Sequence, residues 1–228
     1  MRGYPKLAAD PTAGLYQISS RFVLGKPITD AELAAAYQHP IELAAIRAAL
    51  AIVAGDRAKA SAVIEAMWAA YLTGRVLTPS DYYHLELLGE VVVAAGQLDE
   101  AKRLVKLLAD TSAQRSRRGY HRFAMLTAAL ARDASSIPSG PTVSERAHRL
   151  QAAAEAEIAG DHRAAAAILS EVVHNPTYTW DYPERAALLR NLRAIGDKPA
   201  IAALCTDTLE PAIYHHAFVV LKAQCATK

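Results

Sequence analysis

The amino-acid sequence predicts an all-α protein built from antiparallel helical hairpins, and three observations carry that expectation. The apolar residues, 52% of the 228 in the chain, are mostly alanine and leucine with few aromatics, and alanine loses least on entering a helix. Capping signals recur, because Thr29 with Glu32, Thr78 with Asp81, Thr142 with Glu145 and Asp181 with Glu184 each set an oxygen-bearing side chain three residues before an acid. Gly55, Gly96, Gly160 and Gly196 each end an apolar-periodic stretch and precede Asp or Gln, the pattern of a left-handed helix stop between two helices.

Taken in order, these signals place helices as follows. A first helix over 11–23 caps the start, and the Thr29 signal opens 30–37. The pair 41–54 and 57–73 turns at Gly55, and the pair 79–95 and 98–111 opens at Thr78 and turns at Gly96. A single helix over 115–132 follows, and then the loop ASSIPSGP, whose Ser, Pro and Gly content marks a break between two sub-bundles at 134–141. The pairs 143–159 with 162–174 and 182–195 with 198–208 turn at Gly160 and Gly196, and 211–226 closes the chain. A repeat stack buries its core only through neighbouring units, so 1–228 reads as one domain.

Aligned on the turn glycine, four hairpins share one pattern of small and apolar residues. The stretch LLGEVVVAAGQLDEAKRLV, 87–105, puts Leu88, Gly89, Val92, Ala101, Val105 and Leu108 at fixed offsets from Gly96. Ala48, Ala51, Ala60, Ile64 and Met67 fall at the corresponding offsets from Gly55, and Ala153, Ala156, Ala165, Leu169 and Val172 at those from Gly160. Leu189, Leu192, Ile201, Cys205 and Thr208 form a weaker copy around Gly196. Small residues before the turn and an alanine after it let two helix backbones approach, while the later apolar residues cover the seam.

This pattern resembles the tetratricopeptide repeat, matched best over 82–108, with Pro176 closing the third copy. The glycine spacings of 41, 64 and 36 depart from a steady repeat, and the family's early Trp is missing. The resemblance implies a right-handed superhelical stack of degenerate hairpins, covering about three quarters of the chain, whose first helices line a concave groove. It implies a non-catalytic adaptor or scaffold that binds a peptide or protein segment there. The groove positions would be Tyr83, Glu86 and Glu90 at one end and Tyr182, Arg185, Arg190 and Arg193 at the other. Arg185 and Arg190 fall near positions that clamp a peptide carboxylate in some family members, although the asparagine partners of that clamp are missing.

Other chemistries find less support. A net charge of +2 is too small to point to nucleic acid or an anionic membrane as the bulk partner. The N-terminal residues lack the apolar run of a secretory signal, and no segment has the roughly 18 apolar residues of a membrane span, so a cytoplasmic location is expected. Cys205 and Cys225, 20 apart with no CxxC pair, are expected to be reduced packing residues. There is no GxSxG elbow, HExxH or phosphate-binding glycine loop, and no cofactor is expected. His84-x-Glu86 and His215-His216 read as isolated.

Two alternatives to the groove remain. Glu145 with His148 and Glu171 with His174 are Glu-x-x-His pairs at one end of a hairpin, the raw material of a helical metalloprotein or enzyme. Arg115, Arg117, Arg118, His121 and Arg122 crowd the start of a helix, where the macrodipole is already positive, so an anion or nucleic-acid phosphate would relieve them. Tyr178, Trp180 and Tyr182 are expected to staple a helix start, and Trp68 to pack. The helix over 211–226 is apolar enough to cap the stack, fill the groove or pair two copies as a homodimer.

Overall fold

The protein's structure, a computed structural model, describes residues 18, 21, 26–110, 114–139, 144–174, 181–207 and 216–226, excepting the side chains of 114–118 and 207. Among these residues there are eleven α-helices and no strand: α1 (Asp30–Ala36), α2 (Pro40–Val53), α3 (Arg57–Met67), α4 (Pro79–Ala94), α5 (Leu98–Ala109), α6 (Gln114–Ala131), α7 (Glu145–Ile158), α8 (His162–Val173), α9 (Tyr182–Ile195), α10 (Lys198–Asp207) and α11 (His216–Ala226). The all-α expectation therefore holds. The helix expected over 57–73 ends as a π-helical turn, Trp68–Leu72. Of the helix expected over 11–23, Ile18 and Arg21 are described, both helical, and the rest lies outside the described residues.

The aligned positions form the hairpin seams. Gly55, Gly96, Gly160 and Gly196 all have positive φ, between 67° and 83°, and the next residue's N–H returns to a carbonyl five residues earlier, as in Asp56 to Ala51 and Gln97 to Val92. Ala48, Ala60, Ile64, Val92, Ala101, Ala153, Ala165, Leu169 and Leu189 are all buried in one apolar cluster or beside it. Gly89 shows why the seam needs small residues. A Cβ there would lie 2.6 Å from the Phe123 ring and 2.8 Å from Leu104, so α4 packs backbone-close against α5 and α6.

Two of the expected caps form, and the one at Asp181 does not. Thr29 with Glu32 and Thr78 with Asp81 make reciprocal capping boxes. The helix expected to start at Thr142 is instead capped by Ser144, whose Oγ accepts from the Ala147 N–H; Thr142 lies outside the described residues. Asp181 makes no side-chain cap, because its carboxylate accepts from Arg185 Nε at 2.9 Å. Glu184, the other half of that expected box, is fully buried and drawn to two guanidinium groups.

The helix α4 is buried almost all round, including Asp81, Glu90 and the run Leu85 to Ala94 except Glu86. It packs against α2, α5, α6, α9 and α11, as a helix apolar on every side must. The contact with α9 brings the last hairpin back onto the second, a meeting that a ribbon of hairpins touching only sequence neighbours does not make. The segment at 134–139 holds one 3₁₀ turn, Ala134–Ser136.

Cys205 on α10 and Cys225 on α11 form a disulfide, which corrects the expectation that both thiols are reduced. Spacing along the chain carries no information about two helices brought side by side by folding. No helix among the described residues is long and apolar enough to cross a membrane.

Candidate functional site

The first helices of three hairpins, α2, α4 and α9, form a cradle, and α11 lies in it. All six residues from His216 to Leu221 are buried, whereas Lys222 and Ala226 are exposed. The Phe218 ring meets Tyr182 edge-on with centroids 5.9 Å apart, and His216 meets Tyr37 in the same way at 5.4 Å. Fully burying a side chain such as Phe or Leu is worth about 1.5–3 kcal/mol, so this apolar run is the main hold on the helix.

The cradle has a polarity that matches its occupant. At the start of α11, Glu42 Oε1 stands 3.8 Å from His216 Nε2, too long for a hydrogen bond but close enough for attraction to a helix N-terminus. At its end, Arg193 Nη2 donates to the carbonyl of Gln224 at 2.6 Å, and Gln224 Nε2 donates to the Ala94 carbonyl at 2.7 Å. An acid at the amino end and a guanidinium on the last carbonyls fix the direction in which a helix sits.

Of the seven residues expected to line the groove, two have described contacts with α11, one lies in a buried ionic layer, and the described contacts of the other four lie elsewhere. Tyr182 and Arg193 touch α11. Tyr182 is buried, and that burial, with the nearby Asp181 and Glu90 charges, pushes its phenol up to about 12. Tyr83 is 43% exposed and stands edge-on to His84, and Glu86 lies against Gly119 on α6. Arg185 bonds Asp181 and the Val173 carbonyl, and Arg190 grips Glu157 with two bonds of 2.6 and 2.9 Å.

Glu90, expected in the groove, and Arg122, expected in a separate anion site, meet in one buried ionic layer. Arg122 donates Nη1 to Glu90 at 3.0 Å and both Nε and Nη2 to the Glu184 carboxylate at 2.7 Å, while Arg146 adds a further 2.7 Å bond to Glu184. Burial alone would raise the Glu184 carboxyl, but Arg122 and Arg146 hold it below its ordinary value. Burial would likewise lower the Arg122 guanidinium, and Glu184 and Glu90 keep it raised and charged. The side chains of Arg115, Arg117 and Arg118 lie outside the described residues, so of that cluster's arginines Arg122 has a described place, and His121 stands against the Tyr120 ring.

A second polar group, unforeseen in the sequence, sits at the amino end of the cradle. The His39 and His84 rings stack with centroids 3.7 Å apart and planes 7° from parallel. His39 Nε2 faces Asp81 Oδ1 at 3.3 Å, and Asp81 also accepts from the Tyr71 hydroxyl at 2.8 Å, with Arg75 over the Tyr71 ring. His84 sets Nδ1 on the Ser80 carbonyl at 2.7 Å and Nε2 3.4 Å from Glu42, so both nitrogens face acceptors and the ring favours its protonated form. Burial would lower His84, and Glu42, Ser80 and Asp81 more than reverse it; burial and the His84 charge lower His39 despite Asp81. Glu42, which burial would raise, is brought to about 2 by His216 and His84.

These opposed shifts predict a stability maximum in pH. The His84 contribution is complete below the ordinary value of 6.5 and lost as pH rises through its raised folded value. That of His39 is present above 6.5 and lost as pH falls through its lowered folded value. Thermal midpoints measured from pH 5 to 8.5 should therefore peak near the ordinary histidine range of about 6.5. In His84→Gln the alkaline fall should be smaller than in the parent.

The two Glu-x-x-His pairs do not converge on an open space. Arg149 lies between Glu145 and Glu171, bonded to each at 2.7 Å, and His174 Nδ1 is 2.7 Å from the Ser170 carbonyl. Among the described residues no group of three or more His, Cys, Asp or Glu is arranged to hold a metal ion. Trp68 is buried under Arg103, as a packing residue, and Tyr178, Trp180 and His215 lie outside the described residues. The class this geometry defines is an all-α protein whose cradle of three helices holds its own helix α11. No protein-family model, curated protein or solved structure matches the chain.

Proposed function

We propose that the protein is a non-catalytic interaction module that binds an apolar helix in the cradle of α2, α4 and α9, and that the stack is a degenerate relative of tetratricopeptide hairpins. The observation that carries this reading is α11 itself, an apolar helix seated between the first helices of three hairpins with its ends matched by Glu42 and Arg193. Helix-in-groove recognition uses apolar anchors along one face with charged ends for direction. A partner would present a helix with aromatic and aliphatic residues in the places of Phe218 to Leu221. The cytoplasmic location expected from the sequence is kept as part of this proposal.

The test uses the full chain with Phe218→Asp and Val220→Asp, reduced with dithiothreitol as is the parent; the substitutions place charge in the apolar seat, and the opened Cys205–Cys225 bond lets α11 leave it. A fluorescein-labelled peptide of residues 216–228 carrying Cys225→Ser should bind this variant at micromolar concentration and the parent at least tenfold more weakly. Adding Arg193→Glu to the variant should weaken binding further, by about tenfold, through loss of the carbonyl cap. A variant that keeps its circular dichroism but binds no peptide at millimolar concentration would sink the proposal.

A further inference from the structure

We infer that the Cys205–Cys225 disulfide is a redox latch holding α11 in the cradle, so that a partner helix enters only after a dithiol reductant opens the bond. This rests on the helix-cradle reading and adds its regulation. Three observations carry it. Burial of α11 stops at Leu221, and beyond it the helix is held by the Gln224 contacts with Ala94 and Arg193 and by the disulfide from Cys225 to Cys205. Cys205 occupies the offset from Gly196 at which the other hairpins carry Ile64, Val105 and Leu169, so an apolar seam position has become the covalent anchor of the neighbouring helix. Both cysteines are half-buried at the edge of the packing, within reach of solvent.

The step is a two-electron exchange. One thiolate of the dithiol attacks a sulfur of the Cys205–Cys225 bond, forming a mixed disulfide and releasing the other cysteine as a thiolate that takes up a proton. The second thiol of the reductant then displaces the remaining cysteine, which is also protonated. The protein's disulfide is reduced to two thiols, and the dithiol leaves oxidised as its own disulfide. The bond spans a sequence separation of 20, and a cross-link closing a loop of that size shifts docking by on the order of 100-fold. Reduction leaves the apolar seat and the Glu42 and Arg193 contacts intact, so α11 docks more weakly and a competing helix gains access.

The experiment is hydrogen exchange on the full chain, oxidised and after dithiothreitol, with thiol alkylation confirming the state of the bond. The amides of 216–226 should exchange at least tenfold faster after reduction, while those of 79–94 stay protected. A chain carrying Cys205→Ser and Cys225→Ser should show the fast exchange with or without dithiothreitol. The labelled 216–228 peptide should bind the reduced chain at least tenfold more tightly than the oxidised one. Unchanged exchange on reduction overturns the latch and leaves the cradle reading to its own binding test. Faster exchange with no peptide bound by the reduced chain, or by the Phe218→Asp, Val220→Asp chain, overturns the cradle reading and the latch with it.

Discussion

Glu184→Ala should destabilise the protein by about 3–5 kcal/mol, the range for removing one partner of a buried ion pair. Glu184 is fully buried and accepts three guanidinium bonds, two from Arg122 and one from Arg146. Truncation leaves Arg122 with Glu90 as its described carboxylate partner and removes the bond from Arg146 to Glu184. Against a total stability of about 5–15 kcal/mol, such a loss should lower the thermal midpoint by on the order of 10 °C. The contrast is Glu145→Ala, which removes an exposed partner of Arg149 and should cost less than about 1 kcal/mol. Replacing the layer together, as Arg122→Met with Glu184→Leu, should recover part of the loss, since the desolvation of both charges disappears with them. Equal effects from Glu184→Ala and Glu145→Ala in denaturant titrations would show that the buried layer is not held as described.

Phe218→Ala should cost about 3–5 kcal/mol, but as a local loss. Its ring is 1% exposed and stands edge-on to Tyr182, so truncation removes a large transfer contribution and leaves a cavity between α9 and α11. The ring belongs to α11, and α4 keeps its packing on α2, α5, α6 and α9. Hydrogen exchange should therefore rise across 216–226 with little change across 79–94. A uniform rise over both segments would mean that α11 is part of the common core and not a separable occupant.

What the sequence made legible follows the range of the interactions. Each hairpin seam is local: a glycine with positive φ, an alanine five residues later in three of the four and apolar residues at fixed offsets are all within one pair of helices, so alignment found them. Thr29 and Thr78 were legible as caps for the same reason. Asp181 was not, because a local cap competes with a tertiary partner, and Arg185 takes the carboxylate instead. Arg122 and Glu184 are 62 residues apart, and Gln224 and Ala94 are 130 apart; no periodicity links such pairs. The same holds for the disulfide and for the cluster of His39, Glu42, Asp81, His84 and His216, assembled from three helices. Its faint signal is that His39, Glu42 and His84 stand at or just inside the starts of two successive first helices. Of the residues expected to line a groove, Tyr182 and Arg193 meet α11, whereas Glu42, Tyr37 and Ala94, which also meet it, were not among them.

The position of α11 is the claim on which the rest depends, and nuclear Overhauser contacts in the oxidised chain test it most directly. With Phe and Tyr rings selectively protonated in a deuterated background, Phe218 should show cross-peaks to Tyr182, whose ring centre is 5.9 Å away. A well-dispersed spectrum in which Phe218 has no cross-peak to Tyr182 would contradict the account, because the cradle would then be empty of α11.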